Sequence, residues 1–175
     1  MKCHLKSATF SALAALAISP MFLVAEKASA QPTGTNASYL GGGVSAGVTN
    51  GGKTGDAATF GGNIQGRLAI PNTPVSARGA ILFSDETSAI MPMISYDVPV
   101  TNNANIYLGA GYSFVEQNGK PTPLGNKDAV VLTTGVEAQV SRDIILYSDA
   151  KLGIKAYENS PASAVSFQAG AAYRF

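Results

Sequence analysis

This sequence of 175 residues predicts an all-β fold: an eight-stranded antiparallel up-and-down barrel that crosses a membrane and is preceded by a cleavable signal peptide. Three observations predict it. The N-terminus is laid out like a secretory leader. Eight later segments alternate apolar and polar residues with period two. Every charged residue inside those segments falls on the polar set.

The leader comes first. Lys2 and Lys6 give a basic start, residues 8–24 form an apolar stretch broken by Pro20, and Ala28-Ser29-Ala30 supplies a small-x-small cleavage site before Gln31. That is the pattern of a secretory signal peptide. An uncleaved membrane helix fits less well, because the stretch is short and holds a proline. Residues 1–30 are therefore expected to be removed, residues 31–36 to form a short N-terminal segment, and residues 37–175 to form the barrel.

Removing the leader changes the composition. Cys3 and His4, the chain's single cysteine and histidine, leave with it. Disulfides and thiolate metal sites are then excluded. Twelve Lys and Arg fall to nine, and eleven Asp and Glu to ten, once Lys2, Lys6, Lys27 and Glu26 are set aside, a net charge of −1. Binding nucleic acid needs a concentrated basic face, so no nucleic-acid partner is expected. No later segment is apolar over the length a membrane helix requires.

The eight alternating segments follow in order. The clearest is residues 60–70, with Phe60, Gly62, Ile64, Gly66, Leu68 and Ile70 on one face and Gly61, Asn63, Gln65, Arg67 and Ala69 on the other. A strand sends alternate side chains to opposite faces, so one face is greasy and one polar. Before it comes Leu40, Val44, Ala46, Val48. After it come Val75, Ala77, Ile81, Phe83; then Ile90, Pro92, Ile94, Tyr96, Val98; then Ile106, Leu108, Ala110, Tyr112, Phe114. The last three apolar faces are Val130 to Val140, Ile144 to Ile154, and Val165 to Phe175, each read at every second residue. Pro92 has no N–H and is expected to weaken its strand, at a bulge.

Turns separate the segments. Residues 71–74, 99–104 and 141–143 are short; residues 49–58 and 116–128 are longer and rich in Gly, Asn, Pro and Lys; residues 158–163 are intermediate. Asp85-Glu86-Thr87 is a short turn on the long-loop side. Short turns at one end and longer loops at the other are the habit of a membrane barrel.

A soluble barrel also alternates, so the charges decide the orientation. Arg67, Arg78, Asp97, Glu137, Asp149, Lys151, Lys155 and Arg174 all lie on the polar set. That set is otherwise dominated by Gly, Ser, Ala, Asn and Gln, which suits a cramped interior better than a soluble exterior. A charge facing lipid costs several kcal/mol at midplane, about 2–4 for Arg or Lys, which accounts for its absence from the apolar set. Aromatics cluster at both ends of the apolar faces: Phe60, Phe83, Tyr112, Phe114 and Phe167 towards the long loops, and Tyr96, Tyr173 and Phe175 towards the short turns. Two interfacial girdles look like this.

If the turn at 71–74 pairs Ile70 with Val75, then Arg67 faces Arg78. Two cations directly opposite repel. They need a counter-charge from across the lumen, and Glu137 and Asp149 are the best placed. Lys151 and Lys155 add to the cationic excess. An ion-pair network of Arg67, Arg78, Glu137, Asp149, Lys151 and Lys155 is therefore expected to close the barrel.

The C-terminal run Ala169-Gly170-Ala171-Ala172-Tyr173-Arg174-Phe175 resembles the last strand of bacterial outer-membrane barrels, which end in Phe with an aromatic or apolar residue two positions earlier. Residues 99–112, ending Gly109-Ala110-Gly111-Tyr112, resemble the turn-then-strand pattern of the same proteins. The sequence looks most like the eight-stranded barrels of the outer membrane protein A type. The likeness implies residence in the cell outer membrane, outer-membrane lipid as surroundings, and a last strand read by the barrel-assembly machinery through Tyr173 and Phe175. A monomer is expected. The chain stops at the last strand, so no peptidoglycan-binding domain is expected, and the short loops weigh against an adhesive role.

Small barrels of this kind that act as enzymes resemble one another in using a histidine base, and none remains here. Asp97, Glu137 and Asp149 are candidate acids and bases, but lumen carboxylates ordinarily neutralise lumen cations. The protein is not expected to be an enzyme. The Gly41-Gly42-Gly43 run lies inside a strand and not before a helix, so it reads as packing and not as a phosphate loop. No cofactor or metal is expected. Three roles follow in order: a structural barrel with a side-chain-filled lumen; a narrow porin-like channel, supported by the many lumen glycines; and a surface interaction protein working through its loops.

Overall fold

Eight strands form where the alternation places them. The computed structural model describes residues 31–51 and 59–175, so the expected signal peptide at 1–30 lies outside the described residues. The strands are β1 (Tyr39–Gly47), β2 (Phe60–Ala69), β3 (Val75–Phe83), β4 (Ser88–Pro99), β5 (Ala104–Val115), β6 (Ala129–Gln139), β7 (Ile144–Ile154) and β8 (Ala164–Arg174). Each pairs antiparallel with the next, and β8 closes on β1. Short hairpins join β2–β3, β4–β5 and β6–β7, fixed by Ile70 N–H to Val75 O (3.2 Å), Val100 N–H to Ala104 O (3.0 Å) and Val140 N–H to Ile144 O (3.0 Å). The longer connections lie at the other end.

The register sets the barrel's dimensions. A circuit of paired residues starting at Asn105 steps through Glu137, Tyr147, Gly170, Gly43, Asn63, Leu82 and Ala89, and re-enters β5 at Val115, ten residues further along. Eight strands with this stagger tilt roughly 40° from the axis around a backbone cylinder of about 8 Å radius. A strand of 11 residues, such as β6 to β8, then rises about 28 Å along the axis. That spans an apolar band of about 25 Å.

The exterior is a face for hydrocarbon. Leu40, Ile94 and Leu108 are 58–67% exposed, and no strand residue on that face is charged. The outward aromatics Phe60, Phe114, Phe167, Tyr96, Tyr173 and Phe175 are all exposed. Pro92 produces no bulge: β4 keeps one register against β3 throughout, and against β5 the pairing lapses at Met91 and Pro92 and resumes at Met93–Gly111 unshifted. The missing N–H costs a ladder bond, and the neighbours hold the strand in line.

Two glycines on the inner face make room for tyrosine rings. Gly135 on β6 lies opposite Tyr107 of β5, and a Cβ there would stand 2.7 Å from the Tyr107 ring. Gly170 on β8 lies opposite Tyr147 of β7, and a Cβ would stand 2.4 Å from the Tyr147 hydroxyl and 2.5 Å from Gly42 O. These glycines give up their side-chain volume to tyrosine rings lying across the lumen. By contrast, a Cβ at the outward Gly79 meets nothing within 4 Å. Gly170→Ala is therefore expected to destabilise the barrel by about 1–3 kcal/mol through overpacking, whereas Gly79→Ala leaves stability unchanged or slightly higher. Equilibrium urea unfolding from lipid vesicles distinguishes the two.

Candidate functional site

The lumen holds the chemistry-bearing residues, and its lower half, towards the short turns, is a closed ion ring. The β2–β3 hairpin sets Arg67 directly opposite Arg78. Asp97 on β4 and Glu137 on β6 reach them from either side. Asp97 accepts from Arg67 Nη2 (2.8 Å) and Arg78 Nη2 (2.9 Å). Glu137 pairs with Arg67 Nη1 (2.7 Å) and Arg78 Nη2 (3.0 Å). Each guanidinium touches both carboxylates, so charge alternates around the ring, and all four side chains are buried.

Neutral groups take the remaining valences. Arg67 Nε donates to Ser76 Oγ (2.9 Å) and Arg78 Nε to Ser95 Oγ (2.7 Å). Both hydroxyls also donate to Asp97. Tyr39 accepts from Arg78 Nη1 (2.9 Å) and donates to Glu137 (2.9 Å). Asn105 Nδ2 donates to the other Glu137 oxygen (3.0 Å). The Arg78 guanidinium lies 3.7 Å from the centre of the Tyr107 ring, an attractive contact with its electron-rich face. Such saturation is what lets four charges stay buried.

A second cluster sits one step higher. Lys151 Nζ pairs with Asp149 (2.5 Å) and donates to Gln65 (3.2 Å) and Gln168 (3.1 Å). Tyr107 donates to the other Asp149 oxygen (2.9 Å), and Tyr147 donates to Asn63 (2.5 Å). The expected network is thus redistributed. Asp149 does not face Arg67 and Arg78; Asp97 takes that place with Glu137. Glu137 is level with Tyr147 in the β6–β7 register, which leaves Asp149 a lumen step above the ring. Lys155 is not in the lumen at all. Strand β7 ends at Ile154, and Lys155 adopts a φ of +54° that turns its side chain out to solvent. Arg174 is exposed at the rim and donates to Gln139 (3.1 Å). Tyr173 and Phe175 point outward at the same end, and Phe175 N–H reaches Ser38 O (3.1 Å).

The N-terminal segment closes the lower mouth. Asn105 grips the Thr35 backbone at both polar atoms (3.1 and 2.8 Å), and Arg67 Nη1 donates to Thr35 O (2.9 Å) and Ala37 O (3.3 Å). Thr35 and Ala37 are buried. Beside them a polar cleft of about 360 Å³ opens between Asn36, Asn72, Pro74 and Pro99 and reaches the ring at Arg67, Asp97 and Asn105.

The upper lumen holds an apolar cluster. Leu82, Met91, Met93 and Val131 pack there with Leu124, which the 116–128 loop carries back into the barrel mouth, and with Tyr157 from the β7–β8 loop. The polar inner face expected from sequence is thus interrupted on the β3, β4 and β6 side of the upper lumen, while Ser45, Asn63, Ser166 and Gln168 keep β1, β2 and β8 polar at that end. Sequence reasoning also missed Tyr39 and Asn105 as ring partners. The available signal was their parity: Tyr39, Tyr107 and Tyr147 share the inner face with the charges.

Compared by sequence, the chain matches no family model and no curated protein. By structure it is similar to several eight-stranded membrane barrels. The N-terminal β-barrel domain of Pseudomonas aeruginosa OprF aligns with a TM-score of 0.55 at 11% identity, covering 81% of this chain and 98% of that one. Neisserial surface protein A aligns at 0.54 and 17% identity, with the same coverage of 81% and 98%. Ail, the attachment invasion locus protein of Yersinia pestis, aligns at 0.52 and 14% identity over 80% and 99%. Likeness at these identities is a likeness of fold: the chain has the fold of the outer-membrane eight-stranded barrels.

The ring makes a quantitative prediction. Arg67→Met or Glu137→Gln alone strands a buried partner and is expected to cost about 3–5 kcal/mol. The double variant costs clearly less than the sum, whereas an Arg67/Asp149 cycle gives the smaller coupling. Urea unfolding of both double-mutant cycles in lipid vesicles measures this, and an additive Arg67/Glu137 pair would show that the ring does not act as a unit.

Proposed function

We propose that the protein is an integral outer-membrane barrel with a structural role in the cell envelope and a lumen that does not conduct. The single observation that carries this reading is that the lumen is filled at successive levels. The N-terminal segment occupies the lower mouth, the Arg67–Asp97–Arg78–Glu137 ring and the Lys151–Asp149 pair fill the middle, and Leu124 lies in the upper mouth. Its role is not catalytic, because Asp97, Glu137 and Asp149 are each committed to a guanidinium or an ammonium. The channel reading rested on the lumen glycines, and tyrosine rings occupy the space at Gly135 and Gly170. The loop reading loses its main surface where residues 122–126 turn inward and are buried.

Refolded protein in a planar bilayer is expected to be electrically silent, with insertion verified by a shift in gel mobility between unboiled and boiled samples. Reproducible conductance steps would overturn the closed-lumen reading.

The same reading assigns Tyr173 and Phe175 to delivery and not to stability. Their side chains face outward, beyond the lumen network. Phe175→Ala is expected to lower the amount of folded barrel in the outer membrane of expressing cells several-fold while refolding into detergent is unchanged. Equal losses in both assays would reassign Phe175 to packing.

A further inference from the structure

Lys155 carries a backbone cost that the barrel itself does not explain. Among the described residues, two other than glycine adopt a positive φ, Asn72 (+61°) and Lys155 (+54°). Asparagine tolerates the left-handed region, whereas lysine enters it at a cost. An extended backbone would send Lys155 inward by parity. The left-handed one sends it out, one residue after β7 ends at Ile154. Its ammonium makes no contact that offsets the strain: among the described residues it has no hydrogen-bond or ion-pair partner. Strain of this kind points to a function at the strained residue.

A second cation stands beside it. Lys127 is exposed just ahead of β6, the strand that pairs with β7, and the two chains stay bonded past the strand ends through Asn126 N–H to Ala156 O (2.9 Å). Neighbouring strands lie about 4.8 Å apart, so the flexible stems of Lys127 and Lys155 can bring both ammoniums to one anion. Among the described residues Lys127 also has no ion-pair partner. The carboxylates of this rim are engaged elsewhere. Asp128 accepts from Val115 N–H (2.8 Å), Glu116 from Ser88 Oγ (2.9 Å), and Glu86 pairs with Lys120 (2.9 Å). Glu158 lies against the 116–128 loop, where a Cβ at Gly119 would stand 2.8 Å from its Oε2.

Beneath the two lysines the outer wall is hollowed. A groove of about 220 Å³ is lined by Leu108, Leu132, Thr134, Ala150, Leu152 and Val165. The register explains it: the short side chains Thr134 and Ala150 face each other next to the larger pair Leu132 and Leu152. Leu152 is three residues from Lys155, about 10 Å along the strand. Two cations at the membrane surface above an apolar groove match a charged head and its hydrocarbon tail. We propose that Lys127, Lys155 and this groove form a binding site for an anionic lipid of the leaflet at the long-loop end, the lysines holding its phosphate and the groove one acyl chain. A second copy of the barrel is a poorer occupant, because a two-fold contact on this face would set the same lysines against each other.

Native mass spectrometry counts the bound lipid. Barrel purified from expressing cells in mild detergent and stripped of lipid is titrated with dimyristoyl phosphatidylglycerol and, separately, with dimyristoyl phosphatidylcholine, which has the same chains and no net charge. One phosphatidylglycerol per barrel is expected to bind about tenfold more tightly than phosphatidylcholine, the scale of one or two lysines near a membrane surface. Lys127→Gln/Lys155→Asn should erase that preference. Lys155→Asn alone should weaken phosphatidylglycerol several-fold yet leave stability to urea unchanged or higher, because asparagine suits the left-handed backbone. Ala150→Leu, which fills the groove, should weaken both lipids alike. Arg142→Gln removes an exposed cation at the opposite rim and should change neither. Equal binding of the two lipids by the unaltered barrel, or a preference that survives in Lys127→Gln/Lys155→Asn, would overturn the proposal. So would an equal loss in Arg142→Gln, which would mean attraction by net charge alone. Each variant is first checked for the gel-mobility shift of a folded barrel, and Ala150→Val replaces Ala150→Leu if that barrel fails to form.

Discussion

Two guanidiniums held face to face across one hairpin are the constraint around which the lumen is arranged. The hairpin joining Ile70 to Val75 leaves Arg67 and Arg78 no choice of neighbour. Inside a cylinder of about 8 Å radius they cannot separate. Two carboxylates must therefore arrive from other strands, and Asp97 and Glu137 do so on opposite sides of the pair. The same four charges then recruit the neutral groups. Ser76 and Ser95 bridge guanidinium to carboxylate, Tyr39 and Asn105 complete Glu137, and the Thr35 and Ala37 carbonyls take the last Arg67 donors. The N-terminal segment lies across the mouth because the ring offers it hydrogen bonds there.

The two halves of the lumen solve the filling problem in different ways. The lower half uses charge and leaves no donor or acceptor over. Burying an ion pair gains little net stability over apolar packing, but it fixes which strand lies at which height. The upper half uses apolar side chains on β3, β4 and β6, borrows one from a loop, and keeps hydroxyls and amides on β1, β2 and β8. Apolar packing is tolerant of exchange between shapes of similar volume, whereas the ring below tolerates no missing member. A charge-paired lower plug beneath a packed upper cluster follows from that difference in chemistry.

Much of this was legible in the chain as written. Period-two alternation located all eight strands, and the confinement of charge to one parity showed which face looked inward. The opposition of Arg67 and Arg78 followed from counting across a four-residue turn. Of the two counter-ions, Glu137 was expected and Asp97 was not. Asp149 and Asp97 both have inward parity, and nothing local to either says which stands at the height of the arginines. Lys155 has inward parity too, but its strand ends one residue earlier and a left-handed backbone turns it out. The loop at 116–128 reads as an outer loop by composition, yet Leu124 and its neighbours fold inward because glycines on three distant strands make room for them.

By itself the sequence determined the fold, the inward and outward faces and the number of strands, because side-chain alternation is imposed by the covalent geometry of an extended chain and needs no partner. Height within the barrel is another matter. It depends on the stagger accumulated over eight strand pairings, here ten residues in one circuit. Only the closed tertiary structure sums those pairings. It alone decided that Asp97 rather than Asp149 joins the arginine ring, that the N-terminal segment lies under that ring, and that Leu124 packs into the apolar cluster above.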